Sequence, residues 1–453
     1  MSIKTVHLTN YYHENSGGIS TSLNNLLKAA ERNEREVTLI VPGEQNKLEK
    51  LNRFAKIYYV AAPRSPFFDK RYRLMMPWQY TLKDSVIRRI LINEKPDLIE
   101  VTDKYTLAFT GAMIRKGFFS KLGRPVLVHF SAERMDDNVA HFVTKSKIGK
   151  ILAQNYLANL VIPFFDFHVA NSEYTASEFF EAYEKVVDGK ISSWILSKSE
   201  KIFLAPRISL KDRVFVCPRG VNIEFFSPKR KNPEIRQKIL NDFKLPEDSI
   251  LLLYAGRISP EKNVELLVDT MKTLSKNQDK FKLFIAGSGP KEAWLREQAE
   301  KMRGKIFLLG HLDKQAMADY YANVDIYVHP NPREPFGNVV LEAMASGCAV
   351  VVPKSGGVLT YANQQNSWLS EPSPEGFASA IEEIARNKAL RNQKIENAVK
   401  TASENSVEHF AERLFNTYDK IYDFFHENRE AFGVREISSV MLNTSKERCL
   451  IWF

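Results

Sequence analysis

Cysteine is scarce in this chain, and long apolar runs are absent. The 453 residues include only three cysteines, Cys217, Cys348 and Cys449, which lie far apart. An odd number of dispersed cysteines fits a reducing compartment and offers no zinc-binding spacing. No stretch of 18 or more apolar residues occurs, so we expect no transmembrane helix. The first residues form a strand-like pattern without a secretory signal, and the expected location is the cytoplasm.

Acidic residues are rare between residues 51 and 92, in a chain whose formal net charge is +10. This segment holds nine Lys or Arg residues and eight aromatic residues, against only Asp69 and Asp84. Basic residues mixed with aromatics suit peripheral contact with an anionic membrane, on its inner face for a cytoplasmic protein. The alternative is a solvated loop whose aromatics belong to the core. No recognised nucleic-acid-binding module accompanies the charge, so we expect no nucleic-acid partner.

The order of predicted elements indicates an α/β protein of two or three domains. Strand patterns at 3–8, 36–41, 56–60 and 96–101 alternate with helical patterns, which predicts a parallel, doubly wound sheet. A polar, proline-bounded segment follows residue 228 and is typical of a linker. The strand pattern then restarts at 249–254.

Two features of the first half are candidate site elements. His129 follows the apolar run 125–128, and functional groups of open α/β sheets gather at such strand ends. A histidine bonded to the backbone is the alternative. Gly17 and Gly18 precede a predicted helix from about Thr21, where backbone can approach a phosphate, although an ordinary turn fits the dipeptide equally. Asp136-Asp137 are interpreted as surface charges, and we expect no metal.

Residues 325–347 form the most informative stretch of the second half. A short apolar strand predicted at 325–328 is followed by a proline-rich loop and then by a helix that opens at Gly337-Asn338. The apolar face of that helix is predicted to be Val340, Leu341, Met344 and Ala345, and Gly347 is its predicted C-cap.

This loop and helix predict an anionic ligand that carries hydroxyl groups. Backbone N–H groups at Phe336, Gly337 and Asn338 can bind phosphate oxygens, assisted by the helix dipole. The carboxylate of Glu334 would repel phosphate and suits neutral hydroxyls beside it. Glu342 lies inside the helix and could accept hydrogen bonds from a ribose diol. A phosphate flanked by two polyols describes a nucleotide sugar.

Two cations follow the strand predicted at 249–254. Arg257 and Lys262, in the sequence GRISPEKN, can hold a diphosphate and neutralise the charge that develops as a nucleotide leaves. Ser288 and Gly289, after the next predicted strand, are candidate residues of the donor pocket. Pro290 interrupts the GxGxxG pattern there, which disfavours a dinucleotide-dependent oxidoreductase.

The residues Glu334 and Glu342, in the setting EPFGNVVLEAMASGCAVVV, resemble the E-x7-E signature of family 4, group 1 retaining glycosyltransferases. GRISPEKN after LLLYA is similar to a second motif of that family, and the resemblance covers residues 213–357 by motif and 3–425 by fold. It implies the GT-B fold, in which two Rossmann-like doubly wound domains face each other across a cleft.

The resemblance also implies a division of the chain. Domain one, residues 1–228 with 406–453 packing back onto it, would bind the acceptor, and domain two, residues 229–405, would bind the nucleotide sugar. A C-terminal helix predicted at about Val407–Glu427 would cross back to domain one. The Gly17-Gly18 loop would reach across to the donor, and His129 would contact the transferred sugar. The backbone of Leu312 would hold the base.

The expected activity is transfer of a hexose, with retention, from a UDP-sugar or from GDP-mannose to a glycan or lipid-linked acceptor in envelope polysaccharide or glycolipid synthesis. Glu334, Arg257, Lys262 and His129 would carry the chemistry, without a cofactor or metal. A catalytically inactive nucleotide-sugar-binding subunit and a nucleotide-sugar epimerase are the alternatives. The motifs do not distinguish the donor, acceptor, linkage or oligomeric state, nor assign a role to residues 430–453.

Overall fold

The computed structural model describes residues 3–13, 17–65, 72–142, 146–276 and 279–434, and its strands form two sheets. Both sheets are almost entirely parallel, and helices cover both faces of each. The predicted α/β class with two doubly wound domains is therefore confirmed. The boundaries at 228/229 and 405/406 stay predictions, and Val221 and Phe226 already pack in the core of the second sheet.

The first sheet has eight strands. In chain order they are β1 (Thr5–Leu8), β2 (Val37–Gly43), β3 (Lys47–Lys50), β4 (Ala55–Ala61), β5 (Leu98–Val101), β6 (Val126–Ser131), β7 (Phe167–Ala170) and β8 (Val214–Val216). Their spatial order is β3-β4-β2-β1-β5-β6-β7-β8, and only the β3–β4 pair is antiparallel. The apolar residues of these strands are buried on both faces, as expected for parallel strands covered by helices.

Nine helices accompany this sheet in the described part of domain one. They are α1 (Gly18–Arg32), α2 (Trp78–Thr81), α3 (Val86–Glu94), α4 (Ala108–Arg115), α5 (Met135–Phe142), α6 (Lys147–Tyr156), α7 (Ile162–Phe164), α8 (Glu173–Val187) and α9 (Lys190–Phe203). A π-helical segment, Leu157–Val161, joins α6 to α7. Helices α2 and α3 are separate, because Leu82 is extended and Ser85 starts a new helix.

The second sheet has six strands in the order β11-β10-β9-β12-β13-β14. They are β9 (Ile250–Ala255), β10 (Phe281–Ala286), β11 (Ile306–Gly310), β12 (Ile326–Val328), β13 (Ala349–Pro353) and β14 (Trp368–Ser370). The helices of this part are α10 (Pro233–Asp242), α11 (Val264–Leu274), α12 (Glu292–Lys301), α13 (Lys314–Asn323), α14 (Asn338–Ala345), α15 (Pro374–Arg386) and α16 (Lys388–Glu404).

The last described helix, α17 (Val407–Glu427), packs on the first sheet, as predicted. Phe410, Leu414 and Tyr418 are buried in the core that contains β2 and β6 residues. The Tyr418 hydroxyl donates to Glu100, and Arg35 Nη1 donates to Asp419 Oδ1 at 2.9 Å. The helix thus returns the chain from domain two to domain one.

Cys217 and Cys348 are buried free thiols, whereas Cys449 and residues 435–453 of the C-terminal segment lie outside the described residues. Among the residues that the structure describes, no helix combines the length and the apolarity that crossing a membrane requires.

Candidate active site

The carboxyl ends of the parallel strands in domain two bring the predicted donor residues together. Loops after β9, β10 and β11 touch through backbone hydrogen bonds. Gly256 N donates to Ala286 O at 3.0 Å, and Gly287 N donates to Gly310 O at 2.7 Å. This edge is where ligands bind in open α/β sheets.

Glycine is required where the loops after β9 and β10 meet. A Cβ on Gly287 would lie 1.9 Å from Gly256 O, and one on Gly289 would lie 2.3 Å from Ile258 O. No side chain fits at those distances. Ser288 O accepts a hydrogen bond from Ile258 N at 3.0 Å, so the predicted Ser288-Gly289 turn lies directly beside the loop that carries Arg257.

The two predicted cations occupy different settings on the β9 loop. Arg257 is exposed to solvent at the edge of the sheet. Lys262 ends a short 3-10 helix, and its Nζ donates to Glu334 Oε2 at 2.7 Å. Asn263 follows in the left-handed region (φ 53°) and donates from Nδ2 to Pro330 O at 3.0 Å. The β9 loop is therefore tied to the loop after β12.

Glu334 is a buried carboxylate held on one oxygen. Among the described residues its side-chain partners are Lys262, Asn331 (Nδ2 to Oε2, 3.1 Å) and His329 (Nε2 to Oε2, 3.5 Å). All three contacts fall on Oε2, which leaves Oε1 for a ligand hydroxyl. Burial raises the pKa of Glu334, but Lys262, His329 and the hydrogen bonds outweigh it and lower the pKa to about 2. The group is ionised at neutral pH.

The histidine beside Glu334 is neutral at physiological pH. Burial lowers the pKa of His329 to about 4, although the Glu334 charge raises it, and the charge of Lys262 lowers it further. Lys262 is therefore the cation that balances Glu334 in this cluster.

The start of α14 has the geometry predicted from the sequence. Gly337 is the N-cap with φ 85°, a conformation that favours glycine, and a Cβ there would lie 2.8 Å from Val358 Cγ1. The Tyr361 hydroxyl lies 2.7 Å from Gly337 O and 3.0 Å from Phe336 O. The Tyr361 hydroxyl thus holds the backbone of this loop in place. The predicted apolar face of α14 is buried, and Gly347 follows the helix end with φ 75°.

The turn after β13 supports the same loop. A Cβ on Gly357 would lie 1.8 Å from Pro335 O, and Gly357 N donates to Glu334 O at 2.6 Å. Gly356 has φ 85°. These glycines let two backbones touch and fix the position of Glu334.

Glu342 has a different environment from Glu334. Its side chain is half-buried on α14 and accepts from the Tyr321 hydroxyl at 3.3 Å. Burial raises the pKa of Glu342 to about 7, against the lowering effects of the Tyr321 hydrogen bond and the Lys314 charge. At neutral pH this carboxyl group is close to half-ionised.

Phe336 and Leu312 are placed as backbone contributors. The Phe336 ring is buried against the Tyr361 ring, with centroids 5.2 Å apart. Leu312 is half-buried and packs on the core of domain two. Because its ring is buried, Phe336 can offer a ligand only its main chain.

Domain one reaches this site at two points. A Cβ on Gly18 would lie 2.8 Å from Asn338 Nδ2, so the first turn of α1 faces the first turn of α14. Ser172, the N-cap of α8, donates from Oγ to Pro335 O at 2.5 Å. Gly17 is exposed, and a Cβ there would have open space. Of the two predicted glycines, Gly18 makes the closer approach.

The strand-end position predicted for His129 is wrong. Strand β6 continues to Ser131, and His129 is fully buried within it, paired with Val101 and His168 on the neighbouring strands. Its ring packs against those of Phe165 and Phe179, and burial lowers its pKa well below the ordinary value. The apolar helices behind the sheet draw this side chain into the core, away from the cleft.

Sequence reasoning missed several residues that hold the site. Tyr361 and Asn331 support the β12 loop and Glu334, and Tyr321 contacts Glu342. Ser172 caps helix α8, and its hydrogen bond to the other domain has no local sequence signal. The support behind Glu334 has a visible signal, because Gly356 and Gly357 are adjacent glycines in the sequence.

Two sequence families match this chain. The family described as "Glycosyl transferases group 1" matches residues 235–401, and "Glycosyltransferase Family 4" matches residues 16–193. The first match contains Arg257, Lys262, Glu334 and Glu342, and the second contains the Gly17-Gly18 loop.

Individual relatives extend over most of the chain. A GDP-mannose-dependent alpha-(1-6)-phosphatidylinositol dimannoside mannosyltransferase of Mycobacterium tuberculosis is 27% identical over 84% of this chain and 87% of its own length. An alpha-monoglucosyldiacylglycerol synthase of Streptococcus pneumoniae is 23% identical over 76% and 69%, respectively. The crystal structure of Anabaena HepE in complex with UDP superposes with a TM-score of 0.65 at 17% identity, covering 92% of this chain and all of that one.

Proposed function

Because this chain is a glycosyltransferase of family 4, group 1, with the GT-B fold, we propose that it transfers a hexose from a nucleotide-diphosphate sugar with retention of configuration. The acceptor we propose is a glycan or a lipid-linked molecule in envelope polysaccharide or glycolipid synthesis. The observation that carries the proposal is the Lys262–Glu334 pair, which lies beside the glycine-opened start of α14.

Each group at this site has a distinct role in the proposed reaction. Arg257, Lys262 and the N–H groups at the start of α14 bind the diphosphate and stabilise its charge as it leaves. Glu334 accepts a hydrogen bond from a sugar hydroxyl on Oε1, and Glu342 accepts from the ribose diol. Retention follows from departure and attack on the same face of the sugar, without a protein nucleophile. His129 has no role in this proposal, because its ring is enclosed in the core.

The donor is a UDP-sugar or GDP-mannose. The sequence prediction favours UDP, and a similar fold binds UDP in HepE of Anabaena. The mycobacterial relative is described as dependent on GDP-mannose, and it is similar over most of both chains. Both donors have the same diphosphate and ribose, which are the parts that Arg257, Lys262, the start of α14 and Glu342 would bind.

The acceptor site we propose is a cavity of about 800 Å³ in domain one. Ser20, Thr21 and Asn24 of α1 line it, so it adjoins the Gly18 end of that helix. Arg64 and Arg73 also line it and suit an acceptor that carries a phosphate group, although Arg73 Nη2 already donates to Glu44 at 2.6 Å.

We propose that the reaction needs no metal or cofactor, because the cations of the β9 loop and the start of α14 supply the charge that a metal would otherwise provide. The cytoplasm, with peripheral contact at the inner face of the membrane, is the location we propose.

The first experiment is nucleotide release from a panel of UDP- and GDP-sugars, with and without EDTA, by slow hydrolysis. We expect release from one donor that survives EDTA. Lys262→Met should reduce it by at least about 100-fold, the scale of losing a preorganised charge at the leaving group. The matched control is Lys272→Met, which removes an exposed lysine paired with Asp269 at 2.8 Å on α11.

Three results would contradict the proposal. Donor binding without turnover would favour the inactive binding subunit, and conversion of the donor sugar without release would favour an epimerase. Equal losses of nucleotide release in Lys262→Met and Lys272→Met would contradict the proposed role of Lys262 in binding the diphosphate.

A further inference from the structure

We propose that helix α9 (Lys190–Phe203) is a docking surface for an anionic phospholipid bilayer. The surface is defined here by Ile191, Trp194, Ile195, Lys198, Lys201 and Ile202. A membrane contact here would bring the enzyme to a lipid-linked acceptor, and in that sense the inference rests on the proposed function. Vesicle binding without donor or acceptor tests the inference separately.

The apolar side chains of α9 face solvent. Ile191 is 77% exposed and Trp194 is 63% exposed, and Ile195 and Ile202 are exposed as well. Their spacing places them on one side of the helix. The exposure of a Trp and three Ile side chains to water on a single helix is unusual for the surface of a monomeric soluble protein.

The opposite face fixes α9 to domain one. Leu196 and Ser199 are buried, and the Ser199 hydroxyl donates to Asn159 O in the π-helical segment. The Phe203 ring packs on the Phe164 ring, with centroids 4.6 Å apart, and Arg115 Nε donates to Phe203 O at 3.1 Å. The exposed stripe is therefore presented on a helix held in place along its length.

The charges on the exposed side are all positive. Lys190, Lys198 and Lys201 are exposed, and Lys198 Nζ lies 5.6 Å from the centre of the Trp194 ring. The one acidic residue of the helix, Glu200, is half-buried and accepts from the Tyr183 hydroxyl at 3.4 Å. Apolar side chains bordered by lysines match the acyl boundary and the anionic headgroups of a bilayer.

Helix α6 adds a second surface of the same kind in this part of domain one. Ile148, Ile151 and Leu152 are exposed beside Lys147 and Lys150, and α6 contains no acidic residue. Both helices pack against α8, through Lys185 Nζ to Gln154 Oε1 at 2.8 Å and through the Tyr183–Glu200 bond.

The composition favours a bilayer over a protein partner. Lysine is depleted in protein interfaces, whereas lysine beside Trp and Ile is typical of helices that lie in the membrane interface. Residues 194–203 also lie outside both family matches, which end at 193 and resume at 235. Ile191 lies within the match that ends at 193, and the rest of the surface, from Trp194 to Ile202, therefore belongs to a part of the chain that the shared glycosyltransferase core does not explain.

The test is sedimentation of the full chain with vesicles of phosphatidylcholine containing phosphatidylglycerol, and with vesicles of phosphatidylcholine alone. We expect preferential binding to the anionic vesicles, and Ile191→Ser with Trp194→Ser should weaken binding by at least about tenfold, through loss of buried apolar area. Lys198→Gln with Lys201→Gln should weaken it by about fivefold per lysine and reduce the salt dependence.

The matched control is Trp78→Ser with Leu82→Ser on and after α2, in the basic aromatic segment 51–92. These side chains are 54% and 63% exposed. The control should bind vesicles as the wild type does, and all three doubly substituted proteins should release nucleotide from donor at the wild-type rate. That activity also shows that the variants are folded.

Four outcomes would overturn the inference. Wild-type protein could fail to bind anionic vesicles, or the α9 variant could bind as tightly as wild type. The control could lose binding instead, which would assign the contact to residues 51–92. Light scattering could show an oligomer that the α9 variant dissociates, which would make α9 an interface between copies of the chain.

Discussion

Two carboxyl groups eight residues apart have opposite ionisation behaviour in this site. Lys262, His329 and Asn331 outweigh burial and lower the pKa of Glu334 to about 2. Burial outweighs the Tyr321 hydroxyl and the Lys314 charge and raises the pKa of Glu342 to about 7. Glu334 is therefore a fixed negative charge at every physiological pH, and of these two carboxyl groups it is Glu342 that can make donor binding depend on pH near neutrality.

Donor affinity should therefore fall as the pH is lowered through 7. Only the ionised form of Glu342 accepts both hydrogen bonds of a ribose diol. The ionised fraction drops roughly tenfold between pH 8 and pH 6 for a pKa of about 7. Calorimetry with a nucleotide sugar, whose diphosphate diester does not titrate in this range, should show about tenfold weaker binding at pH 6. Glu342→Gln should bind weakly and with a flat profile.

The same group makes a prediction for stability. Its folded pKa is raised from 4.5 to about 7, so its contribution is present below pH 4.5 and is lost as the pH rises through 7. Glu342→Gln should have a higher apparent melting temperature than wild type at pH 8, and the difference should shrink towards pH 5. A constant difference across this range would contradict the raised pKa.

At the residue scale, the sequence predicted which residues come together where functional residue types occur at a characteristic local spacing. Glu334, Lys262 and Gly337 come together because each lies on a loop at the carboxyl edge of one sheet. His129 failed because the strand ran two residues further than its apolar pattern predicted. That extension leaves the ring enclosed against Phe165 and Phe179, and no local pattern reports which side chains will cover it.

At the scale of elements, Ser172 connects the stability of helix α8 to the position of the loop that carries Glu334. Its Oγ accepts from Thr175 N at 3.1 Å as the N-cap of α8 and donates to Pro335 O in the other domain. The residue after Pro335 is Phe336, whose backbone belongs to the turn that we propose binds the phosphates. Loss of the hydroxyl should therefore affect both folding and donor binding.

Ser172→Ala should lower the stability of domain one by about 1 kcal/mol through the lost cap. It should also raise the KM for donor by about fivefold, the effect of one hydrogen bond of about 1 kcal/mol. The control is Ser373→Ala, which removes a cap bond of the same type, from Gly376 N at 3.1 Å, on α15. Thermal unfolding and steady-state kinetics would measure both. An equal change of KM in the two variants would contradict a role for the bond between domains.

Helices with strong caps were predictable, and helices without an inward apolar stripe were not. The predicted bounds of α17 agree with the structure, because Ser406 caps an apolar face that turns towards a core. Helix α9 was not assigned, because its most apolar stripe faces solvent and it ends at Leu204 in the left-handed region rather than at glycine. Strand β3 was missed because its side chains are mostly exposed.

At the scale of the molecule, the site depends on how the two domains meet. The plan of two sheets with a helix that crosses back was predictable, since the element pattern repeats on either side of the linker. The approach of Gly18 to Asn338 was not, because the two residues are far apart in sequence and only their tertiary arrangement joins them. This contact closes the donor site from the side of domain one.

The two glycines of the α1 loop provide a test of that closure. Gly18→Val should press against Asn338 and lower kcat/KM for donor by at least about tenfold, because misplacement by a fraction of an ångström disrupts the alignment of reacting groups. Gly17→Val should have a smaller effect, since a Cβ there meets nothing within 4 Å. Steady-state kinetics on both variants would rank them, and thermal unfolding would check their folding.

A double-mutant cycle isolates the contact itself. If Gly18→Val acts by displacing the Asn338 side chain, then Asn338→Ala should remove that clash, and the combined variant should lose less than the sum of the two single losses in free energy. Additive losses would show that residue 18 acts through α1 alone. A larger loss in Gly17→Val than in Gly18→Val would show that the domains meet in another arrangement during turnover. Agreement with both expectations would mean that donor binding requires the first turns of α1 and α14 to approach as closely as they do here, and that each domain supplies part of one site.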